Sequence, residues 1–177
     1  MVPGNLFGYR EFSALKESLR KAEGLAESFY CIRPREWNKS PFDVLTQGDC
    51  PDPLPPAPKS ILAEVCRSVH LPHSSGARPE PLHFYSILLK DENILRAAEA
   101  GRDHFDLKSL LVYVLTHEIV HVVRFARQCL PFVMDEVDRE AEEKTVLSIT
   151  RKILGKTGDR ELLFLVNNFE DFCDSSV

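Results

Sequence analysis

Thr116-His117-Glu118-Ile119-Val120-His121-Val122-Val123-Arg124-Phe125 closes the longest apolar run of the chain, which extends from Leu110 to Phe125. A helix turns 100° per residue, so His117 and His121, four apart, stand on one face and can reach one ion. Glu118 is rotated away by one position, where it can take a proton from a metal-bound water without itself being a ligand. Zinc prefers about four ligands in a tetrahedron, and catalytic sites usually draw three of them from the protein. Two histidines therefore leave such a site one ligand short.

The plainer reading is a pair of hydrogen-bonded core histidines. Leu110, Leu111, Val112, Val114, Leu115, Ile119, Val120, Val122 and Val123 leave this helix almost no polar face. Each polar side chain in it needs a partner, because an unsatisfied buried polar group costs about 1–3 kcal/mol. A bound metal is the most economical partner, and Zn²⁺ is the ion the spacing suits.

The third ligand is expected downstream. Cys129-Leu130-Pro131-Phe132 breaks the helix, since proline has no amide donor and restricts the residue before it. The spacing predicts one helix over about 108–128 and a second over about 134–155, starting at Met134 or Asp135. So short a connection makes the two antiparallel neighbours, which brings residues 140–143 opposite His121. Glu140, Glu142 and Glu143 lie there. The apolar stripe Val146, Leu147, Thr150, Leu154 extends back onto Glu143 and Glu136, making Glu143 the inward carboxylate. Glu140, toward one edge of the stripe, is the second choice, and Glu142 lies on the other side. For each the alternative is a solvated charge in the acidic run from Asp135 to Glu143. Arg124 shares the face of His117 and His121; it can pair with a second-helix carboxylate, the commoner use, or bind a substrate carboxylate at the rim.

With these residues in view, His117-Glu118-x-x-His121 followed by a glutamate on the next helix resembles the gluzincin branch of the zincin metallopeptidases. The spacing from His121 to Glu140–Glu143 is similar to that of thermolysin-like members. Leu115-Thr116-His117-Glu118 through Phe125, with Glu142-Glu143 and Val146, also resembles small bacterial proteins carrying one such motif. The similarity covers about residues 108–155. It lacks a third histidine after His121, and Leu147 stands where the usual Glu-x-x-x-Asp has its aspartate. The resemblance implies an α+β, zincin-like minimal metalloprotease domain, mainly helical with a small sheet. It also implies zinc-dependent hydrolysis of a peptide or protein through a metal-activated water, with His117, His121 and preferably Glu143 as ligands and Glu118 as base. Tyr85, His104 and Arg124 are the candidates to stabilise the oxyanion.

Two other functional classes fit the same residues. One is a non-catalytic or regulatory zinc-binding protein on such a scaffold. The other takes Glu118-x-x-His121 as half of a di-iron site in a helical bundle, whose second half would have to be Glu80-x-x-His83, although Pro81 interrupts it.

A length of 177 residues fits one domain, and 44% apolar with 28% charged residues is ordinary globular composition. A net charge of −5 without a strongly basic segment argues against nucleic acid. Met1 to Asn5 shows no start of a secretory signal, and Leu110–Val123 is short and interrupted for a bilayer span, so no membrane is expected. Five scattered cysteines without Cys-x-x-Cys spacing suit free thiols in a reducing cytoplasm. Oligomeric state is open.

Elsewhere, Arg10 to Ala26 is predicted as a helix with Phe12, Leu15, Leu19, Ala22 and Leu25 inward, and Trp37 as a core anchor. Residues 51–58 read as an extended proline-rich linker. A helix is expected from the Ser60 cap to about Val69, a polar loop from His70 to Gly76, and a strand from Pro81 to Leu89. By the resemblance that strand's edge could bind an extended peptide; a buried strand is the alternative. Asp91 to Ala100 is predicted helical and stopped by Gly101, with Asp106 or Ser109 opening the metal helix. Gly155-Lys156-Thr157-Gly158 ends the second long helix and is no phosphate loop, Arg160 to Phe169 is a last helix, and Asp171 to Val177 a polar tail.

Overall fold

The computed structural model describes residues 6–38, 41–50, 57–70, 82–127 and 132–175. In chain order these form helix α1 (Tyr9–Tyr30), the single turn α2 (Pro34–Trp37) and strands β1 (Phe42–Leu45), β2 (Ala63–His70) and β3 (Leu82–Leu89). Helices α3 (Asp91–Ala100), α4 (Leu107–Ala126), α5 (Glu136–Leu154) and α6 (Arg160–Ser175) follow. The class is α+β, mostly helical with a small mixed sheet. Positions 51–56 of the proline-rich segment, most of the 70–76 loop, and Glu80 lie outside the described residues.

Asp106 opens α4, its side chain accepting from the Ser109 amide at 2.7 Å, and thereby satisfies one of the helix's free amide donors. From Leu110 to Val123 every residue is buried except His117, which is partly so. Helices α1, α3, α5 and α6 and strands β2 and β3 all pack on α4. By length and apolarity this helix could cross a membrane, in contrast to the shorter span expected from Leu110–Val123; most of it lies inside the protein.

Helix α1 buries Ala14, Leu15, Ser18, Ala22 and Ala26, with Leu19 and Leu25 partly buried against the core as expected; Phe12, also expected inward, is exposed and meets Phe7 edge-on. The small residues let its backbone approach α4 closely, and Ser18 Oγ donates to the Lys108 carbonyl at 3.1 Å. Trp37 is partly buried, donates from Nε1 to Glu27 at 2.8 Å and meets Phe42 edge-on, tying β1 to α1.

The sheet has the order β1-β3-β2, with β1 parallel and β2 antiparallel to β3. The helix expected from Ser60 to Val69 is instead strand β2. Ile61, Val65 and Val69 are four apart, a spacing that suits period 2 as well as period 3.6. Their β-branched side chains and the pairing with β3 decide for the strand, and burial alternates, with Ala63, Val65 and Arg67 more buried than Glu64, Cys66 and Ser68. Strand β3 forms where expected but lies at the centre of the sheet, so among the described residues β2 takes one of its edges and β1 takes the other along Tyr85–Leu88, in place of the peptide that the resemblance implied. The alternative of a buried strand holds: Tyr85, Ile87, Leu88 and Leu89 are in the core. His83 also sits on this strand, which removes the second helical Glu-x-x-His that a di-iron bundle needs.

Helix α3 stops at Gly101, where a Cβ would meet the Phe105 ring at 2.0 Å. Asp135 caps α5 by accepting from the Asp138 amide at 2.8 Å. Helix α6 runs on to Ser175, past the boundary expected at Phe169. Its start is fixed by Asp159, which accepts from the Glu161 and Leu162 amides at 3.1 and 3.4 Å and from Lys21 Nζ at 3.1 Å. Burial pushes the Asp159 carboxyl up, but these bonds outweigh it and hold it below its ordinary value. Asp159→Ala is expected to cost about 1 kcal/mol at pH 7, the usual loss of a cap. An acid depressed on folding contributes stability above its unfolded pKa and loses it as pH falls through the folded value. Urea denaturation should therefore show the deficit at pH 7 and a smaller one below about pH 3.9; an equal deficit at both would refute the charge-dependent cap.

Candidate metal centre

His117 and His121 stand one turn apart on α4, with ring centroids 5.0 Å apart. Both point their Nε2 atoms at Glu143 of α5: His117 Nε2 is 3.3 Å from one carboxylate oxygen and His121 Nε2 3.2 Å from the other. One donor atom from each of the three lies within 4.8 Å of the other two. A tetrahedral ion with bonds of about 2.0–2.1 Å separates its donors by roughly 3.3–3.4 Å. Charge-assisted hydrogen bonds are shorter, about 2.7–2.9 Å. The 3.2 and 3.3 Å separations match that spacing while remaining within reach of longer hydrogen bonds, and two imidazoles with one carboxylate are a donor set zinc accepts. Among the described residues this is the group of His, Cys, Asp and Glu side chains close enough to hold a metal.

The surrounding charges are coupled. Partial burial pushes the Glu143 carboxyl up, but its hydrogen bonds and attraction to His117 and His121 outweigh that and hold it well below the usual carboxylate range. Burial favours neutral His121, yet the hydrogen bond to Glu143 and the charges of Glu118, Glu143 and Glu142 leave it raised. Glu118, 8% exposed, is pushed up chiefly by burial, with Glu143 and Glu64 adding and the two histidines opposing. A carboxyl raised in this way is better matched to proton transfer near neutral pH than an exposed glutamate.

The candidates on α5 separate clearly. Glu143 joins the histidines, while Glu140 is exposed and paired with Lys144 at 2.9 Å. Glu142, expected on the other side of the stripe from Glu140, is 2% exposed and takes the inward place the stripe assigned to Glu143, whose side chain is 48% exposed. Glu142 takes Arg124 bidentately, Nε at 2.6 Å and the terminal nitrogen at 2.7 Å. The buried line of α5 is Glu142, Val146, Thr150, Ile153 and Leu154, and Glu143 and Leu147 border it on the cleft side. The Nδ1 atoms of both histidines are buried without a hydrogen-bond partner, and that of His121 lies 3.9 Å from Glu142. Arg124 therefore has the commoner of its two uses. A signal for Glu142 existed, because Arg124, a buried-face cation one turn from His121, required a carboxylate opposite.

The histidines open into a cleft of about 550 Å³. Residues 60–65, leading into β2, form one wall; α4 supplies Tyr113, Val114 and Phe125, and α5 supplies Arg139, Glu143 and Leu147. Phe125 stacks on His121 at 5.8 Å, Phe132 meets Phe125 edge-on, and the Arg67 guanidinium lies 4.7 Å above Phe132. This chain of contacts reaches from the sheet to the imidazole and fixes the ring plane of His121. None of the oxyanion candidates lines the cleft. Tyr85 is in the core of β3, His104 stacks on Phe164 at 4.5 Å, and Arg124 is engaged by Glu142. Tyr113, one turn before His117, and Arg139, one turn before Glu143, are there instead.

No protein-family model, curated protein or solved structure matches this chain.

Proposed function

We propose that this chain is a zinc-dependent hydrolase that cleaves peptide bonds. The observation that carries the reading is the convergence of His117 Nε2 and His121 Nε2 on the Glu143 carboxylate, beside buried Glu118, in an open cleft. His117, His121 and Glu143 would hold the ion. Zinc bound there would polarise a substrate carbonyl and lower the pKa of a water. Glu118 takes the proton of the attacking water and passes it to the leaving amine. Phe125 and the Phe132–Arg67 stack hold the His121 ring, while Arg124 neutralises Glu142 beneath it. A peptide suits the cleft because β2 is paired on one side only among the described residues, and its approach segment forms a wall along which an extended chain can add main-chain hydrogen bonds.

Elemental analysis of protein purified without added metal tests the site. About one zinc per chain is expected, lost in His117→Ala and Glu143→Ala and kept in Glu140→Ala. Absence of zinc even after it is supplied would make the histidines core residues and end the hydrolase reading.

A further inference from the structure

Arg139 is the one lysine or arginine among the residues lining the cleft, and it makes no ion pair among the described residues. Three acids line the cleft with it. Glu143 faces the two histidines, Glu64 is held by buried Lys90, and Glu118 is the proposed base. Arg139 is thus the fixed positive charge in the cleft lining without an ion pair among the described residues, and it lies on α5 one turn from Glu143. Resting on the hydrolase reading, we propose that Arg139 receives the C-terminal carboxylate of the peptide, so that the chain removes one or two residues from the carboxyl end. A guanidinium fork matches a carboxylate bidentately, which a neutral carboxamide cannot reproduce. The reach agrees: one helical turn rises about 5.4 Å, and one extended residue spans about 3.3–3.6 Å. Phe132, Met134 and Leu147 make the adjoining walls apolar, so an apolar terminal side chain is favoured. Recognition of a free amino end would instead need an uncommitted acid, and Glu64, the cleft acid away from the histidines, already has Lys90.

The test uses an N-acetylated tetrapeptide ending in phenylalanine, as the free acid and as the C-terminal amide. Both are titrated calorimetrically into the Glu118→Gln protein, zinc-loaded and metal-free, so that neither is consumed. The free acid should bind about tenfold or more tightly than the amide, the worth of one charge-assisted pair. Arg139→Ala should erase that preference, Arg139→Lys should keep part of it, and neither should change zinc content. With the parent protein, cleavage should fall one or two residues from the free acid end. Equal binding of acid and amide, a preference surviving in Arg139→Ala, or cleavage only at the peptide bond nearest the acetylated end would overturn the proposal while leaving the zinc site intact. Failure to bind zinc with the acid preference retained in the metal-free protein would reject the hydrolase reading and leave the role of Arg139 standing.

Discussion

Glu118→Gln should bind zinc at the parent stoichiometry and hydrolyse peptide about 10²–10⁴-fold more slowly, the usual contribution of a positioned acid–base group. The replacement keeps shape and packing in a site 8% exposed and removes only the capacity to take a proton. Burial, the main cause of the raised Glu118 carboxyl, also fixes the stability outcome. A buried acid with a raised pKa lowers the stability of the folded state once pH exceeds its unfolded pKa, because ionisation is then favoured more in the unfolded chain. Glutamine has no such penalty, so thermal denaturation at pH 7 should find the variant at least as stable as the parent. Slowed hydrolysis with zinc and stability kept isolates the proton transfer. Full activity in this variant would remove Glu118 from the chemistry.

Arg124→Ala should destabilise the fold by about 3–5 kcal/mol, the cost of leaving one partner of a buried ion pair uncompensated. The geometry places the penalty on Glu142, which is 2% exposed and would lose both short bonds from the guanidinium. Joint replacement, Arg124→Met with Glu142→Leu, should recover most of the loss, since apolar side chains of similar bulk need no counter-charge. Denaturant titration of the two single variants and the double variant gives the coupling directly. A loss below about 1 kcal/mol for Arg124→Ala would equate the pair with an exposed salt bridge.

Helix α4 was legible because its signals are local. Asp106 before the apolar run, Gly101 after α3 and Asp135 before α5 cap or stop helices in ways that nearest residues decide. The apolar period of α5 preferred Glu143 to Glu140 but missed that Glu142 is the carboxylate on the buried line. Strand β2 was misread because its odd-numbered apolar residues satisfy both periods, and the deciding partner, β3, is distant in sequence. The central place of β3 depends on β1 and β2 arriving from opposite sides, which no local pattern encodes. Burial of Glu142 depends on Arg124 reaching across from another helix. Tyr113 and Arg139 enter the cleft only once α4, α5 and the approach to β2 are set around it.

The helix that bears both histidines and the proposed base is also the one every long neighbour rests on. A substitution on α4 that retunes the chemistry disturbs the core with it, so this helix leaves little room for variation. The cleft-facing side of α5 is less constrained: Arg139 is exposed, makes no ion pair among the described residues and can change without opening a hole beneath it. Selection for a new substrate would then act on the walls and leave the floor almost untouched, separating what the protein recognises from what keeps it folded.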